Sequence, residues 1–445
     1  MLKHYTLAAV LFLSAHYSGA QNQWRYLPNK GFIHDTTYRI EDIYFTDTLH
    51  GFAVTLNDGL FKTSDGGANW SEINLVYRQF RAIEFSDDGM YGITGCVNNS
   101  GTVFHTTDGG KNWNDISLQV PDTSTTGGRR ICGLAHYGNN FYGVGWWGAK
   151  QAKFYKSTDK GASWQTTYID TNLATALVDV YFTSKDIGFV TGTRENKNMP
   201  PASVILKTTD GGNTWYEVFA DTVLAGYIWK IQFVTPDYAV GAMQNLFHRD
   251  SVNMVRSKNG GNTWEIIPVG SMKGTFSWGG STQACGFATP AKGWVGGYYD
   301  GIFETTDSGK TWAHINFGSK FNRIFVIDSN HIFAGGNMPY RYGSLFGNSI
   351  PTISDNKKLP HKLFPVAPNP GKGRIKIEFD LDNETNVVLN VISMDTKKIY
   401  PVANTYLNKG HYSYYWDGSM APAGNYFIWL GNNEIPLTQK FVLLE

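Results

Sequence analysis

The octapeptide TTDGGNTW at Thr208–Trp215 has five relatives in the same chain: TSDGGANW (Thr63–Trp70), TTDGGKNW (Thr106–Trp113), STDKGASW (Ser157–Trp164), SKNGGNTW (Ser257–Trp264) and TTDSGKTW (Thr305–Trp312). Their third positions fall 43, 51, 51, 49 and 48 residues apart. A repeat of that period builds a solenoid or a propeller, and about 40–45 residues make one four-stranded blade. Each copy sits among the same four β-rich runs. Around the first they read EDIYFTD, HGFAVTL, GLFKTSDGG and NWSEINL; around the fourth, VDVYFTS, IGFVTGT, SVILKTT and NTWYEVF. Gly, Asp and Asn punctuate the runs, which places each octapeptide at the turn between a third and a fourth strand.

The chemistry of the octapeptide is that of a turn. The leading Ser/Thr hydroxyl and the Asp carboxylate can accept hydrogen bonds from backbone N–H groups of their own loop. The fifth-position Gly permits a positive φ, and the Trp buries its ring against its blade. The structural residues are therefore Asp65 and Trp70, Asp108 and Trp113, Asp159 and Trp164, Asp210 and Trp215, Asn259 and Trp264, and Asp307 and Trp312. Asn259 keeps an acceptor oxygen but loses the charge, so the fifth turn is expected to be weaker. Local hydrogen bonding accounts for these acids without a metal or catalytic role. The pattern S/T-x-D-x-G-x-x-W resembles the Asp-box, or BNR, repeat.

After the sixth box, FNRIFVID (Phe321–Asp328) and HIFAGGN (His331–Asn337) repeat the first two strands of a blade. A third strand is expected near YRYGSLF (Tyr340–Phe346), and the fourth is missing there. QNQWRYLP (Gln21–Pro28) reads like a post-box strand, with Trp24 in the place of the box Trp. The expectation is an all-β fold. A seven-bladed propeller spans residues 21–350, and an N-terminal strand closes its last blade and leaves no open edge.

Low charge (17%), abundant Gly (49) and many aromatics (15%) suit that architecture. Lys plus Arg (38) balances Asp plus Glu (37), so there is no basic field for nucleic acid. Residues 1–20 read as a signal peptide: Lys3, the apolar run Thr6–Ala15, then Ser18–Ala20 before cleavage. No cysteine stands at the cleavage point to carry a lipid, and no later stretch is apolar enough for a transmembrane segment. Cys96, Cys132 and Cys285 are too few for a disulfide framework and lack metal-site spacing. They read as buried strand residues, with one bridge left open. No cofactor is called for.

Residues 351–362 read as a linker, and 363–445 as a small immunoglobulin-like β-sandwich of short strands. PNP (Pro368–Pro370), GNYF (Gly424–Phe427) and a last strand led by Lys440 resemble the C-terminal sorting domain of the type IX secretion system of Bacteroidota. That family usually has Tyr before PNP, where Ala367 stands here. The resemblance implies type IX machinery as a partner, passage through the outer membrane, removal of the tail, and a secreted or surface-attached product. An ordinary accessory sandwich is the alternative.

In a propeller the Asp-box turns lie on one rim, and the loops available for binding lie on the other. Here those loops are dense in rings and guanidinium groups that stack and fork onto ligands. The candidate binding face comprises Arg129, Arg130, Trp146, Trp147, Arg194, Trp229, Arg249, Trp278, Tyr298, Tyr299, Tyr340 and Arg341. At least one ring of the Trp146–Trp147 pair is expected to be exposed. YRIE (Tyr38–Glu41) is similar to the F/Y-R-I-P motif of sialidases; Arg39 fits it and Glu41 breaks it. Xyloglucanase-type hydrolases also use Asp-box rings, but in pairs around a cleft, where two opposed carboxylates are needed. Asp250 and Asp300 are the acids a hydrolase could use. The repeat as a whole (IYFTDTLHGFAV…LFKTSDGGANW) resembles the photosystem II stability and assembly factor family, non-enzymatic propellers that bind protein partners. The reading is an exported, non-catalytic binding module for a protein or glycan. The alternative is a secreted glycoside hydrolase, xyloglucanase-like or sialidase-like.

Overall fold

The computed structural model describes residues 23–27, 39–57, 59–75, 79–97, 102–122, 129–145, 151–195, 199–246, 250–272, 281–343, 361–382, 384–393, 399–419, 421–431 and 437–444. The signal segment and the expected linker up to residue 360 lie outside them. Two compact units divide the chain, Met1–Gly347 and Asn348–Glu445.

The described part of the first unit holds seven four-stranded antiparallel sheets. Their first strands are Ile40–Phe45, Phe80–Phe85, Gly133–Tyr137, Ala176–Phe182, Ile228–Phe233, Thr282–Phe287 and Arg323–Asp328. Each packs on the next, and the seventh packs on the first, so the sheets form a closed ring around a channel. Blades one to six are runs of consecutive strands. Blade seven is composite: Arg323–Asp328, His331–Gly335 and Pro339–Gly343 take Gln23–Tyr26 as their fourth strand, with Trp24 opposite Tyr342.

Each Asp-box ties its own turn. In blade four the Thr208 hydroxyl donates to Asp210 Oδ1 (2.8 Å) and accepts from the Gly212 N–H (2.9 Å). Asp210 Oδ1 also accepts from the N–H groups of Asn213 and Thr214. Asn259 keeps this pattern, accepting from Ser257 Oγ and the Thr263 N–H. Its amide donates to the Thr263 hydroxyl (2.8 Å), where an aspartate would accept, and a hydroxyl serves either way. The fifth turn thus retains its bonds.

The box also reaches the other hairpin of its blade. Its fourth-position N–H donates to a carbonyl in the turn between the first two strands: Gly66 to Leu49, Gly109 to Met90, Lys160 to Asn139, Gly211 to Asp186, Gly260 to Asp237 and Ser308 to Ala291.

A third set of contacts joins blades. The fifth-position glycine backs onto the preceding blade: Gly110 onto Phe52, Gly161 onto Ile93, Gly212 onto Phe154 and Gly261 onto Phe189. Gly67, in blade one, meets Leu27 of the N-terminal segment instead. The box Trp follows, with Trp215 lying 5.0 Å from Phe154 of the preceding blade and 6.4 Å from Phe182 of its own. The sequence reading gave the Trp to its own blade; the structure sets it across the seam. In blades one, two and four the Phe ending the first strand stacks on an aromatic of the preceding blade: Phe45 on Phe333 (3.5 Å), Phe85 on Phe52 (4.5 Å) and Phe182 on Tyr142 (3.5 Å). The Phe85–Phe52 pair has the separation of an offset stack, which adds about 0.5–1.5 kcal/mol beyond area burial.

The second unit is a β-sandwich. One sheet orders His361–Leu363, Arg374–Leu381 and Gly410–Asp417; the other orders Ile399–Leu407, Thr385–Ser393, Gly424–Gly431 and Leu437–Leu443. Strict alternation in RIKIEFDL turns Ile375, Ile377 and Phe379 inward onto Val387, Leu389, Ile428 and Phe441. All three cysteines are buried: Cys96 and Cys285 on strands, Cys132 just before Gly133.

Two substitutions separate turn geometry from packing at the seam. A Cβ at Gly109 (φ +71) meets nothing closer than 3.5 Å, whereas one at Gly110 (φ +76) lies 2.5 Å from the Phe52 ring. Gly109→Ala should therefore cost about 1–2 kcal/mol in urea unfolding, from backbone strain alone. Gly110→Ala should cost about 2–4 kcal/mol, adding overpacking. Trp24 is buried against Trp294, Phe321 and Tyr342. Its replacement by Ala should cost about 3–5 kcal/mol in the same measurement.

Candidate functional site

The first strand of each blade starts on the face opposite the Asp-boxes, because the box lies at the end of the third strand, which runs parallel to the first. Residues early in the first strands therefore surround the channel mouth on that face. In five blades a β-bulge falls there. The pairing steps over Glu41, Arg81, Val178, Trp229 and Gln283 in blades one, two, four, five and six. A bulged residue leaves the alternation and its side chain is re-aimed. The mouth is built from these positions.

Glu41 is the hub. It accepts from Arg39 Nε (3.0 Å) and from Asn322 Nδ2 (3.0 Å), and it forms an ion pair with Arg81. Arg39 also donates to Gln283 Oε1. The Arg39 guanidinium lies 5.2 Å from the Tyr298 ring, and that of Arg81 lies 5.3 Å from the Trp229 ring. Blades two and five stand on opposite sides of the ring, so the second contact spans the channel. Trp229 stacks on Tyr227 at 4.9 Å and donates to Gln244 Oε1. Lys320 Nζ lies 5.7 Å from the centre of the Tyr298 ring. Burial pulls Arg39 down to about 10 and Arg81 to about 9, the latter also through Arg39; both remain cations at neutral pH.

Deeper in the channel, carboxylates cap main-chain N–H groups of the next blade. Asp42 accepts from Ile83 N (3.3 Å) and pairs with Arg323 of blade seven (3.5 Å). Asp179 accepts from Ile231 N (2.8 Å) and pairs with Lys230 (3.7 Å). Towards the Asp-box end, His136 Nδ1 lies 2.8 Å from Glu84 and Nε2 lies 2.9 Å from Asp87. Burial would lower this imidazole, but the two carboxylates outweigh it and hold His136 up at about 9.

Of the residues singled out from sequence, Trp229 and Tyr298 come together at the mouth, half-buried. Arg129 donates from Nε to the Val120 carbonyl (2.6 Å), and Arg130 is buried. Arg194 is buried and paired with Glu217; Arg341 lies over the Phe333 ring at 5.4 Å. Tyr299 and Tyr340 are corrections: both rings are core rather than contact surface. In the bend between Gly293–Gly297 and Asp300–Thr305, Tyr299 is buried against Phe303 while Tyr298 stays half-buried, and Tyr340 is fully buried against Phe321. Trp146, Trp147, Arg249 and Trp278 lie outside the described residues. Glu41, Arg81, Gln283 and Asn322 were not foreseen as a site. A signal for three of them exists, since Glu41, Arg81, Trp229 and Gln283 each stand four residues before the Phe ending their strand.

Residues 20–126 match the family described as photosynthesis system II assembly factor YCF48, and residues 365–444 match the secretion system C-terminal sorting domain. The repeat and the ring are those of an Asp-box propeller, and the family match lies within its first part. A structure of YCF48 bound to a D1 peptide is similar at a TM-score of 0.51 and 19% identity, covering 74% of this chain and 98% of that one. YCF48 from Cyanidioschyzon merolae gives 0.52 and 19%, covering 73% and 99%. A GH74 xyloglucanase from Xanthomonas campestris gives 0.53 and 13%, covering 88% of this chain and 63% of that one. At these identities the likeness is one of fold. No curated protein sequence matches the chain. The tail marks the protein for handling by a type IX secretion system, and no helix among the described residues is long and apolar enough to cross a membrane.

The His136 site gives a pH test. An NMR titration should place its midpoint near 9 rather than 6.5. A folded-state value raised above the unfolded one stabilises fully below about 6.5 and is lost as pH rises through 9. Between pH 7 and 9.5 the thermal midpoint of the wild type should fall more than that of His136→Gln; parallel curves would contradict the assignment.

Proposed function

We propose that the ring is a non-catalytic binding module that holds an extended segment of a partner polypeptide across its channel mouth. The carrying observation is the continuous row Tyr298–Arg39–Glu41–Arg81–Trp229, which presents aromatic faces and a net positive charge on the face opposite the Asp-boxes. Rings of this kind give large contact area at small entropic cost, and guanidinium groups add carboxylate or carbonyl recognition. A relative of the same fold, YCF48, is described with a D1 peptide bound, which supports a peptide as the ligand class. Exported through its sorting tail after signal-peptide removal near Ala20, the protein would display this mouth outside the cell, attached or released.

A glycoside hydrolase is the second reading, favoured by the xyloglucanase fold likeness. It requires one carboxyl free to give a proton and a second to stabilise or attack. The carboxyl group at the mouth is that of Glu41, which is engaged by Arg39, Arg81 and Asn322. Asp250 and Asp300 are exposed and remain the acids such an enzyme would use.

An array of unstructured peptides and glycans probed with the purified full chain tests the proposal. Trp229→Ala and Tyr298→Ala should each weaken the retained peptide signal at least tenfold, equivalent to about 1.4 kcal/mol. Release of reducing sugar from any member of a polysaccharide panel would replace the binding reading with the hydrolytic one.

A further inference from the structure

The sorting sandwich has four sheet edges, and three are closed by different means. The outer edge of the last strand, Leu437–Leu443, is capped by the PNPG turn. Asn369 Oδ1 accepts from the Val442 N–H (3.0 Å), and Asn369 Nδ2 donates to the Lys440 carbonyl (3.3 Å). Gly371 donates to the Val442 carbonyl (2.9 Å) and accepts from the Leu444 N–H (2.7 Å). Ile399–Leu407 carries Pro401, which has no N–H, beside a break in register. His361–Leu363 is three residues long. These are the devices by which proteins protect edges from pairing.

The fourth edge, Gly410–Asp417, has none of them. It is eight residues long, reads GHYSYYWD without Pro or Lys, and pairs in unbroken register with Arg374–Leu381 on one side. No strand among the described residues pairs with its other side. The Gly418 N–H donates to Gly373 on the paired side. Residues two apart in a strand point the same way, so 412, 414 and 416 face the ladder. His411, Ser413, Tyr415 and Asp417 therefore offer their N–H and C=O groups to the open side.

We infer that this edge pairs with the same edge of a second copy of the chain. An antiparallel two-fold centred on Tyr414 sets His411 opposite Asp417 of the second copy and Ser413 opposite Tyr415, at both ends alike. Every outward-facing main-chain group then meets another. On the core side of the sheet the same register sets Tyr412 opposite Trp416 and Tyr414 opposite itself, so half-buried rings meet rings. Exposed His411, paired with Asp380 (2.7 Å) and Glu378 (3.5 Å) of its own sheet, stands opposite the exposed Asp417 at each end, and cross-strand pairs of both kinds contribute. Two three-stranded sheets become one of six. The contact is smaller than the ~800 Å² per partner of standard interfaces, which makes it weak and reversible.

Sedimentation velocity of the purified full chain, from about 5 to 500 µM, should show a concentration-dependent monomer–dimer equilibrium. Ser413→Pro removes an outward N–H while sparing the inward ladder, and should leave a monomer with unchanged near-UV dichroism. Should that variant unfold, His411→Asp decides: it places like charges opposite each other and should weaken dimerisation at least tenfold. Adding Asp417→Lys to the same chain should restore it. A wild type that stays monomeric throughout, or a dimer indifferent to these changes, overturns the inference. If the monomeric wild type is exported and Ser413→Pro is not, the edge belongs to the export machinery instead.

Discussion

The ring depends on the fit of each blade's Asp-box into the blade before it. A glycine without a Cβ lets the box turn press against an aromatic or aliphatic side chain of its neighbour, and the box Trp closes over the same seam. Every such contact is head-to-tail, and a series of head-to-tail contacts is stable as a unit when it closes on itself. Closure falls to Leu27, which packs on Gly67 while its N–H donates to Pro339 of blade seven. The hydrogen bonds inside the box hold the turn in the shape that the seam requires.

Against that fixed frame, one position in each of five blades is free. In blades one, two, four, five and six the seams take Phe at the end of the first strand, Gly or Ala opposite it, and Gly and Trp in the box. They ask nothing of the bulged residue, which can be Glu41, Arg81, Val178, Trp229 or Gln283. The repeat thus separates scaffold from site within a strand of six or seven residues. The mouth chemistry can change by substitution at these positions without disturbing how blades pack.

The legible part of the sequence was the part that repeats. Six octapeptides at a steady spacing specified turn, blade and ring, and Trp24 before the first blade pointed to a composite seventh. The site was less legible because loops drew attention for their aromatics, while the mouth is made by strand residues displaced by bulges. A bulge is a pairing irregularity between two strands, and neither strand alone announces it. Hence Trp229 was reached through its loop, and Glu41 and Arg81 were missed. Tyr299 and Tyr340 erred in the opposite direction, since whether an aromatic in a turn-rich stretch is core or surface depends on how that stretch folds against its neighbours, as Tyr299 does on Phe303 and Tyr340 on Phe321.

The composite blade has a temporal consequence. Gln23 pairs with Gly343, so nearly the whole ring must be synthesised before its first strand finds a partner. Contacts of such long separation form late, after the entropy of closing the loop has been met. The sorting domain is encoded after that closing strand. A chain cut short anywhere within the ring lacks both the partner for its first strand and its export address. Linear order alone therefore makes the address a certificate of completeness: only molecules able to shut the ring are labelled for dispatch.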